Sequence, residues 1–169
     1  MLKLTAPFAL VLLVLSFAVG AVQQQERGTF NYPVLIPELA LKAAQAALEA
    51  CREQEAQVAV AVVDRGGNVQ VLLRDRFAGA HTPDTAIGKA WTAVSFRRNT
   101  TDMLDMTRPG EAGAGIRDLP GVVVLGGGLV IEEAGRILGG IGISGGPSGE
   151  VDDTCGKAGI EAIREELVP

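Results

Sequence analysis

The sequence is poor in aromatic residues, histidine and basic residues. Only 4% of its 169 residues are Phe, Trp or Tyr, and His81 is its single histidine. One chain therefore cannot supply a multi-histidine metal centre. The 15 Lys and Arg are outnumbered by 20 Asp and Glu, which gives a net charge of −5. Because no basic and aromatic cluster is present, nucleic acid is not an expected partner. Glycine contributes 22 residues, which predicts a core of closely approaching elements.

The first residues carry the pattern of a secretory signal. Lys3 precedes an apolar run over 8–15, and small residues follow up to Val22. We therefore predict a signal peptide over 1–21, which leaves 148 of the 169 residues as a single domain over 22–169. The expected location is the periplasm or the outside of the cell, with no membrane span after cleavage. An uncleaved anchor is the alternative, although the run is short for a span of about 20 residues.

The two cysteines, Cys51 and Cys155, lie far apart in the sequence. In an exported protein two such residues can form a disulfide. Two buried, reduced thiols are the alternative. The sequence pattern leaves both open, because a bridge requires the two Cα atoms to lie within about 7 Å of each other.

The pattern of apolar residues, glycines and prolines predicts helices and hairpins. Pro37 suits the first turn of a helix, and Thr82 followed by Pro83 is a second helix start. The predicted elements are a helix over 37–53, strands over 58–63 and 69–74, a helix over 82–98, a short helix over 100–106, a mobile flap over 107–120, three strands within 122–146 and a helix over 151–167. Hairpins without βαβ alternation predict an α+β fold, in which an antiparallel sheet carries helices on its faces.

The predicted helix over 82–98 has two distinct faces. One is apolar and is the expected core stripe: Ile87, Ala90, Trp91 and Val94. The opposite face holds Thr85, Lys89, Thr92 and Phe96. A Phe on the face away from the core indicates a second surface, which contacts either a ligand or a neighbouring subunit.

Two glycine-rich motifs overlap in the last predicted strand, and neither has its usual structural setting. Residues 140–145 match GxGxxG, but a dinucleotide site requires these glycines between the first strand and first helix of a βαβ unit. Residues 142–146 match GxSxG, the pattern of a nucleophile elbow. That device needs a histidine later in the chain, whereas His81 lies upstream. We therefore reject both dinucleotide binding and a hydrolase triad.

Three groups of residues together resemble the GlcG/HbpS-like family, also called the haem-degrading-domain family. They are VVDRGGN at 62–68 with Leu73-Arg74, KAWTA at 89–93 with Phe96 and Thr101, and GGG at 126–128 with GGIGISG at 139–145 and Asp152-Asp153. The resemblance covers about residues 37–167, and the order and spacing of the groups make it specific. The chain departs from the family at two places: Leu129 follows the glycine triplet where a proline is common, and the first helix lacks the histidine of some haem-binding relatives.

The resemblance implies a profilin-like, three-layer α/β/α fold with a central antiparallel sheet, and a homo-oligomer that is often an octamer. Since the first and last helices of that fold share one face, it also implies a Cys51–Cys155 disulfide. Haem or another tetrapyrrole is the implied ligand, but the resemblance supplies no matching metal ligand. His81 is the candidate from its position before a helix N-terminus, which favours a neutral imidazole; a surface loop histidine is the alternative. Met103 and Met106 are further candidates for the haem iron, with core packing as their alternative. The residues expected to bind the ligand are Arg74, His81, Lys89, Thr92, Phe96, Gly127, Gly142 and Ser144.

A small-molecule enzyme is the rival hypothesis. A lyase, tautomerase or hydrolase acting on an organic acid would use Asp64 or Asp152 as its base, with Lys89 or Arg74 holding the substrate. A perturbed carboxylate in a closed pocket would favour this enzyme, whereas a cleft wide enough for a porphyrin would favour the binding protein. A third hypothesis, an interaction module, would have no pocket.

Overall fold

The computed structural model describes residues 28–167, and the fold is that of the unit that begins at Tyr32. The predicted signal peptide over 1–21 and the domain start at residue 22 lie outside the described residues. The elements are α1 (Pro37–Glu53), β1 (Ala59–Asp64), β2 (Val69–Arg74), α2 (Thr82–Phe96), β3 (Gly128–Glu133), β4 (Arg136–Ser144) and α3 (Gly149–Glu161), with 3₁₀ turns at Thr101–Met103, Ala114–Asp118 and Arg164–Glu166.

The strands form a sheet with the order β2-β1-β4-β3, and each neighbouring pair is antiparallel. The central strand β1 is apolar up to its last residue because both of its faces are covered. Alternate side chains of a strand point to opposite faces of the sheet. Val60 and Val62 therefore pack with α1 and α3, whereas Ala59 and Ala61 pack with α2. This arrangement confirms the predicted three-layer α+β fold.

Glycines in β4 bring α2 unusually close to the sheet. A Cβ at Gly142 would overlap the carbonyl oxygen of Ala86, and one at Gly140 would lie 3.0 Å from the carbonyl oxygen of Ala90. The face of α2 that can approach so closely is the one with small or slender side chains. The predicted faces of this helix were therefore wrong in part: Lys89 and Thr92 are buried.

The same close approach leaves the bulky side chains of α2 nearer its edge. Ile87 and Trp91, which were expected in the core stripe, are only half-buried, while Ala90 and Val94 are buried as predicted. Hydrophobic bulk therefore did not identify the buried face of this helix.

The segment over 122–125 was predicted as a strand, but it belongs to no strand of the described chain. The backbone N–H of Val123 donates to the Thr92 hydroxyl at 2.9 Å, so the segment is tied to α2. The last sheet segment therefore contributes two strands and not three. The short helix predicted over 100–106 is a 3₁₀ turn, and α3 ends at Glu161 before a separate turn. Mobility of the flap over 107–120 stays a prediction.

The first and last helices are joined covalently. Cys51 near the end of α1 and Cys155 in α3 form a disulfide, with a Cα–Cα distance of 5.3 Å. This confirms the bridge that the family resemblance implied. Among residues 28–167, no helix combines the length and apolar character that crossing a membrane requires.

Candidate functional site

An open cleft of about 900 Å³ lies where several chain turns meet at one end of the sheet. Its walls come from the segment between α1 and β1, the loop between β2 and α2, and the loop between β4 and α3. The residues that line it include Phe77, His81, Lys89, Ser144, Ser148 and Asp152. A volume of this size falls within the range of small-molecule sites, about 300–1,000 Å³.

The β2–α2 loop forms one wall and is held in place by two arginines. The Arg52 guanidinium donates to the buried Asp75 carboxylate at 2.6 Å. Arg74 donates to the carbonyl oxygen of Ala78 through Nε at 3.2 Å. These contacts fix both ends of a loop whose central side chain, Phe77, is 79% exposed. A large apolar side chain is thus presented to the cleft from a fixed backbone.

His81 follows on the same wall, immediately before α2. Its ring lies over Gly79, where a Cβ would come within 2.8 Å of the His81 Cε1 atom. The residue is exposed, and neither ring nitrogen hydrogen-bonds to another residue within 28–167. Gly79 therefore makes room for an imidazole that still has a free nitrogen.

The floor of the cleft contains a buried ion pair. Lys89 Nζ lies 2.7 Å from Asp152 Oδ2 and also donates to the carbonyl oxygen of Ile143 at 2.7 Å. Each residue of the pair is 3% exposed. Asp152 Oδ1 accepts a hydrogen bond from the backbone N–H of Gly146 at 2.9 Å. Burial raises the pKa of Asp152, although the hydrogen bond and charge of Lys89 act in the opposite direction.

The glycine triplet packs behind this pair. Gly127 has a φ of +106°, and a Cβ there would lie 2.6 Å from Asp152 Cβ and 3.0 Å from Lys89 Nζ. Its N–H donates to Asp153 Oδ1 at 2.6 Å, and the other oxygen of that carboxylate accepts from the Thr101 hydroxyl. The adjacent acidic residues thus divide their contacts: Asp152 faces the cleft, and Asp153 holds the triplet.

Three of the predicted ligand-binding residues meet in the cleft: His81, Lys89 and Ser144. The others lie behind or beside it and do not line it. Arg74 braces the β2–α2 loop, Thr92 holds the 122–125 segment, and Phe96 is half-buried near the end of α2. Gly127 and Gly142 permit close packing with α3 and α2, respectively.

The remaining predicted residues are also away from the cleft. Met103 is buried and Met106 is 42% exposed, and neither lines the cleft. Asp64 accepts hydrogen bonds from Asn68 within the β1–β2 turn, so its carboxylate stabilises that turn.

Sequence reasoning missed Phe77 and the 54–57 segment. Phe77 follows Asp75 in a short polar loop, and a single exposed Phe there carries no periodic signal. The 54–57 segment reaches the cleft because the disulfide holds the end of α1 against α3; Gln54 Nε2 lies 3.8 Å from Cys155 Sγ. Within residues 28–167, no three His, Cys, Asp or Glu side chains gather as a metal-binding group.

Curated relatives match most of this chain. It is 37% identical over 121 residues to the corrinoid adenosyltransferase PduO of Salmonella typhimurium, an alignment that covers 70% of this chain and 36% of PduO. The chain thus spans about a third of the length of that relative.

Two solved structures share the fold at comparable identity. A double mutant of Streptomyces reticuli HbpS has a TM-score of 0.76 and 33% identity, with 94% of this chain and 97% of the other covered. A complex of PduOC with heme has a TM-score of 0.71 and 33% identity, with 77% and 95% covered.

The family comparison agrees with these matches. The family described as "Haem degrading protein HbpS-like" matches residues 35–161, which is most of the chain and nearly all of the fold described above. This confirms the resemblance seen in the sequence motifs. The chain therefore belongs to the HbpS-like haem degrading protein family.

Proposed function

We propose that this protein binds haem or a related tetrapyrrole in the cleft, is exported, and acts as a homo-oligomer. The observation that carries the binding proposal is the position of His81. It is the single histidine of the chain, it lines the cleft, and the exposed Phe77 shares its wall. The heme complex of PduOC, which shares this fold, supports the same ligand class.

The residues present fit such a ligand. A neutral imidazole nitrogen is a common axial ligand of haem iron, and His81 has a free nitrogen in the cleft. Phe77 offers an apolar face on which a planar macrocycle can stack. When bound, haem would supply the iron chemistry, and this chain would supply the axial nitrogen, the stacking face and the enclosing walls.

Haemin titration followed by the absorbance of the Soret band tests the binding. We expect the wild-type protein to give a saturable spectral shift with one site per chain. Loss of groups around a metal ligand typically weakens binding 10–100-fold, so His81→Ala, which removes the ligand itself, should weaken it at least about 10-fold. Glu111→Ala, an exposed site away from the cleft, is the matched control. An unchanged spectrum and affinity in His81→Ala would refute the proposal.

Export is supported by the signal pattern and by the disulfide. Buried Cys51 and Cys155 form a bridge, and structural disulfides persist in oxidising compartments such as the periplasm or the outside of the cell. Intact-mass measurement of material recovered outside the cytoplasm should show a chain that begins near Val22. Retention of residues 1–20 in that material would contradict cleavage.

Self-association is supported by an apolar strip beside α2. Val69 and Leu72 pair with Val63 and Ala61, which both pack on the α2 side of the sheet, yet they are 46% and 41% exposed. A second copy of the chain could cover this strip. Light scattering should report an oligomer for the wild-type protein and a smaller species for Leu72→Glu. A monomeric wild type would rule out this part of the proposal.

A further inference from the structure

The Lys89–Asp152 pair has no part in the proposed axial ligation by His81, although it borders the same cleft. Two ions buried at 3% exposure carry a large desolvation cost, which their mutual attraction only offsets when the geometry is good. Two apolar side chains could fill the same volume without that cost. We therefore expect the pair to have a chemical function that requires both the ammonium and the carboxylate.

Lys89 has a donor left over. An ammonium carries three N–H groups. Two of them go to the carbonyl oxygen of Ile143 and to Asp152 Oδ2, both at 2.7 Å. The third has no partner within residues 28–167, and Lys89 lines the cleft. One N–H of the pair is thus available to an oxygen atom of a small molecule.

Asp152 has acceptor capacity left over. A carboxylate has about four lone-pair positions. Lys89 occupies one position on Oδ2 and the N–H of Gly146 occupies one on Oδ1, which leaves others for the cleft. Burial raises the pKa of this carboxyl group, and a carboxylate with a raised pKa takes up a proton more readily.

The charges around the pair restrict what can bind. Asp153 is the next carboxylate in α3 and faces the glycine triplet, while the strand β4 contributes the carbonyl oxygen of Ile143 and the uncharged Ser144. Across the cleft the titratable side chains are Glu55 and His81. Among the residues that line the cleft, the lysine Lys89 thus faces two carboxylates, Asp152 and Glu55. This excess of negative charge disfavours an anionic group against the pair. It favours a neutral carbonyl, in place of the organic acid expected from the sequence.

We propose that the cleft floor is a proton-transfer site for small neutral carbonyl compounds, with Asp152 as the base and Lys89 as the donor to the carbonyl oxygen. Asp152 takes a proton from the carbon next to the carbonyl. The electrons of that C–H bond form a C=C bond, and the negative charge moves to the oxygen held by Lys89. Return of the proton to the carbon restores the ketone, and its return to the oxygen gives the enol. The step is balanced without a further reactant.

The test is exchange of the carbon-bound protons of hydroxyacetone in D₂O, followed by proton NMR. General base catalysis typically contributes 10²–10⁴-fold, so Asp152→Asn should slow the protein-dependent exchange at least about 100-fold. Asp152→Asn leaves Lys89 buried without its ion partner, so circular dichroism should first show that the variant is folded. Asp118→Asn, which changes an exposed carboxylate outside the cleft, should exchange hydroxyacetone like the wild type.

A pH profile separates a base from a structural residue. Wild-type exchange should rise as Asp152 ionises and then level off, whereas the Asp152→Asn profile should be flat. Asp152→Glu keeps a carboxylate and should recover part of the rate, which guards against an Asn variant that fails to fold. Exchange no faster than in buffer, or equal exchange in wild type and both Asp152 variants, overturns the proposal. Haemin titration of the same samples keeps this activity distinguishable from haem binding, since either can fail alone.

Discussion

The two faces of the sheet are packed by different means. The face covered by α1 and α3 holds large aliphatic side chains such as Ile141 and Ile143, and a disulfide crosses it. The face covered by α2 holds two small clusters built largely from alanine and valine. Beside them lie buried polar groups, with Lys89 as the clearest case.

The α1/α3 face mainly contributes to stability, whereas the α2 face carries the candidate functional site. Aliphatic packing on the α1/α3 face gains free energy from burial and needs no ligand. On the α2 face, glycines in β4 bring the helix backbone so close that little apolar area is available, and the space at its end becomes the cleft. Substitutions of aliphatic core residues on the first face should change only the free energy of unfolding, whereas those around the cleft should change ligand binding as well.

The largest expected effect is on the α2 face. Lys89→Met leaves Asp152 buried without its ion partner, so we expect a loss of about 3–5 kcal/mol in the free energy of unfolding at neutral pH. Because Lys89 lowers the pKa of Asp152 against the effect of burial, its removal should raise that pKa further. Urea denaturation monitored by circular dichroism measures the loss.

The pH dependence has a defined sign. A carboxyl group with a raised folded-state pKa favours folding when protonated, and that contribution is lost as pH rises through the folded pKa. The deficit of Lys89→Met should therefore shrink as pH falls through the raised folded-state pKa of Asp152, and it should be smallest below the ordinary Asp pKa of about 3.9. Lys42→Met is the matched control, since Lys42 pairs with Glu166 at 52% side-chain exposure and should cost at most about 1 kcal/mol. Equal losses in the two variants would contradict a special role for the buried pair.

The second effect concerns the α1/α3 face. Replacing both Cys51 and Cys155 with alanine removes a crosslink between residues 104 positions apart, and we expect a loss of about 2–4 kcal/mol. Denaturation of the variant and of the wild type without reductant measures this difference. Alkylation of both thiols in unreduced, folded wild-type protein would instead show that the bridge is absent.

A smaller loss of stability is expected for a conservative substitution in the aliphatic core of the α1/α3 face. Ile141→Val deletes one methylene from the fully buried aliphatic core, which should cost about 0.5–1.5 kcal/mol in unfolding. Haemin affinity should stay unchanged, because Ile141 packs on the face away from the cleft. A parallel loss of affinity would mean that the two faces are not independent.

The smallest effect on unfolding is expected at the cleft wall. Phe77 is 79% exposed, so Phe77→Ala should leave unfolding nearly unchanged. Loss of a stacking partner should weaken haemin binding by about 0.5–1.5 kcal/mol. Titration calorimetry beside thermal unfolding separates the two readouts. A large loss of stability with unchanged haemin affinity would show that Phe77 supports the fold and does not contact the ligand.

Local signals predicted much of the fold. Pro37 marked the start of α1, and the turn over 64–68 was recognised from its glycines and Asn68. The faces of α2 were harder, because burial there is decided by Gly140 and Gly142 of another strand. Periodicity within a helix cannot report how closely a distant strand lets that helix approach.

The site was predicted in part for a related reason. His81 and Lys89 share one helix and its cap, so their proximity follows from local sequence. Asp152 was named as a base, but its pairing with Lys89 depends on contact between α2 and α3. Phe77 had no local pattern to mark it. The residues that sequence reasoning missed reach the cleft from separate turns of the chain.

The disulfide also gives the molecule a covalent ring. Every residue that lines the cleft lies between Cys51 and Cys155, so all walls belong to one closed loop of chain. A single proteolytic cut inside that loop would leave the fragments as one molecule until the bridge is reduced. Both ends of the chain lie outside the ring, so partner domains can be joined at either end without interrupting it.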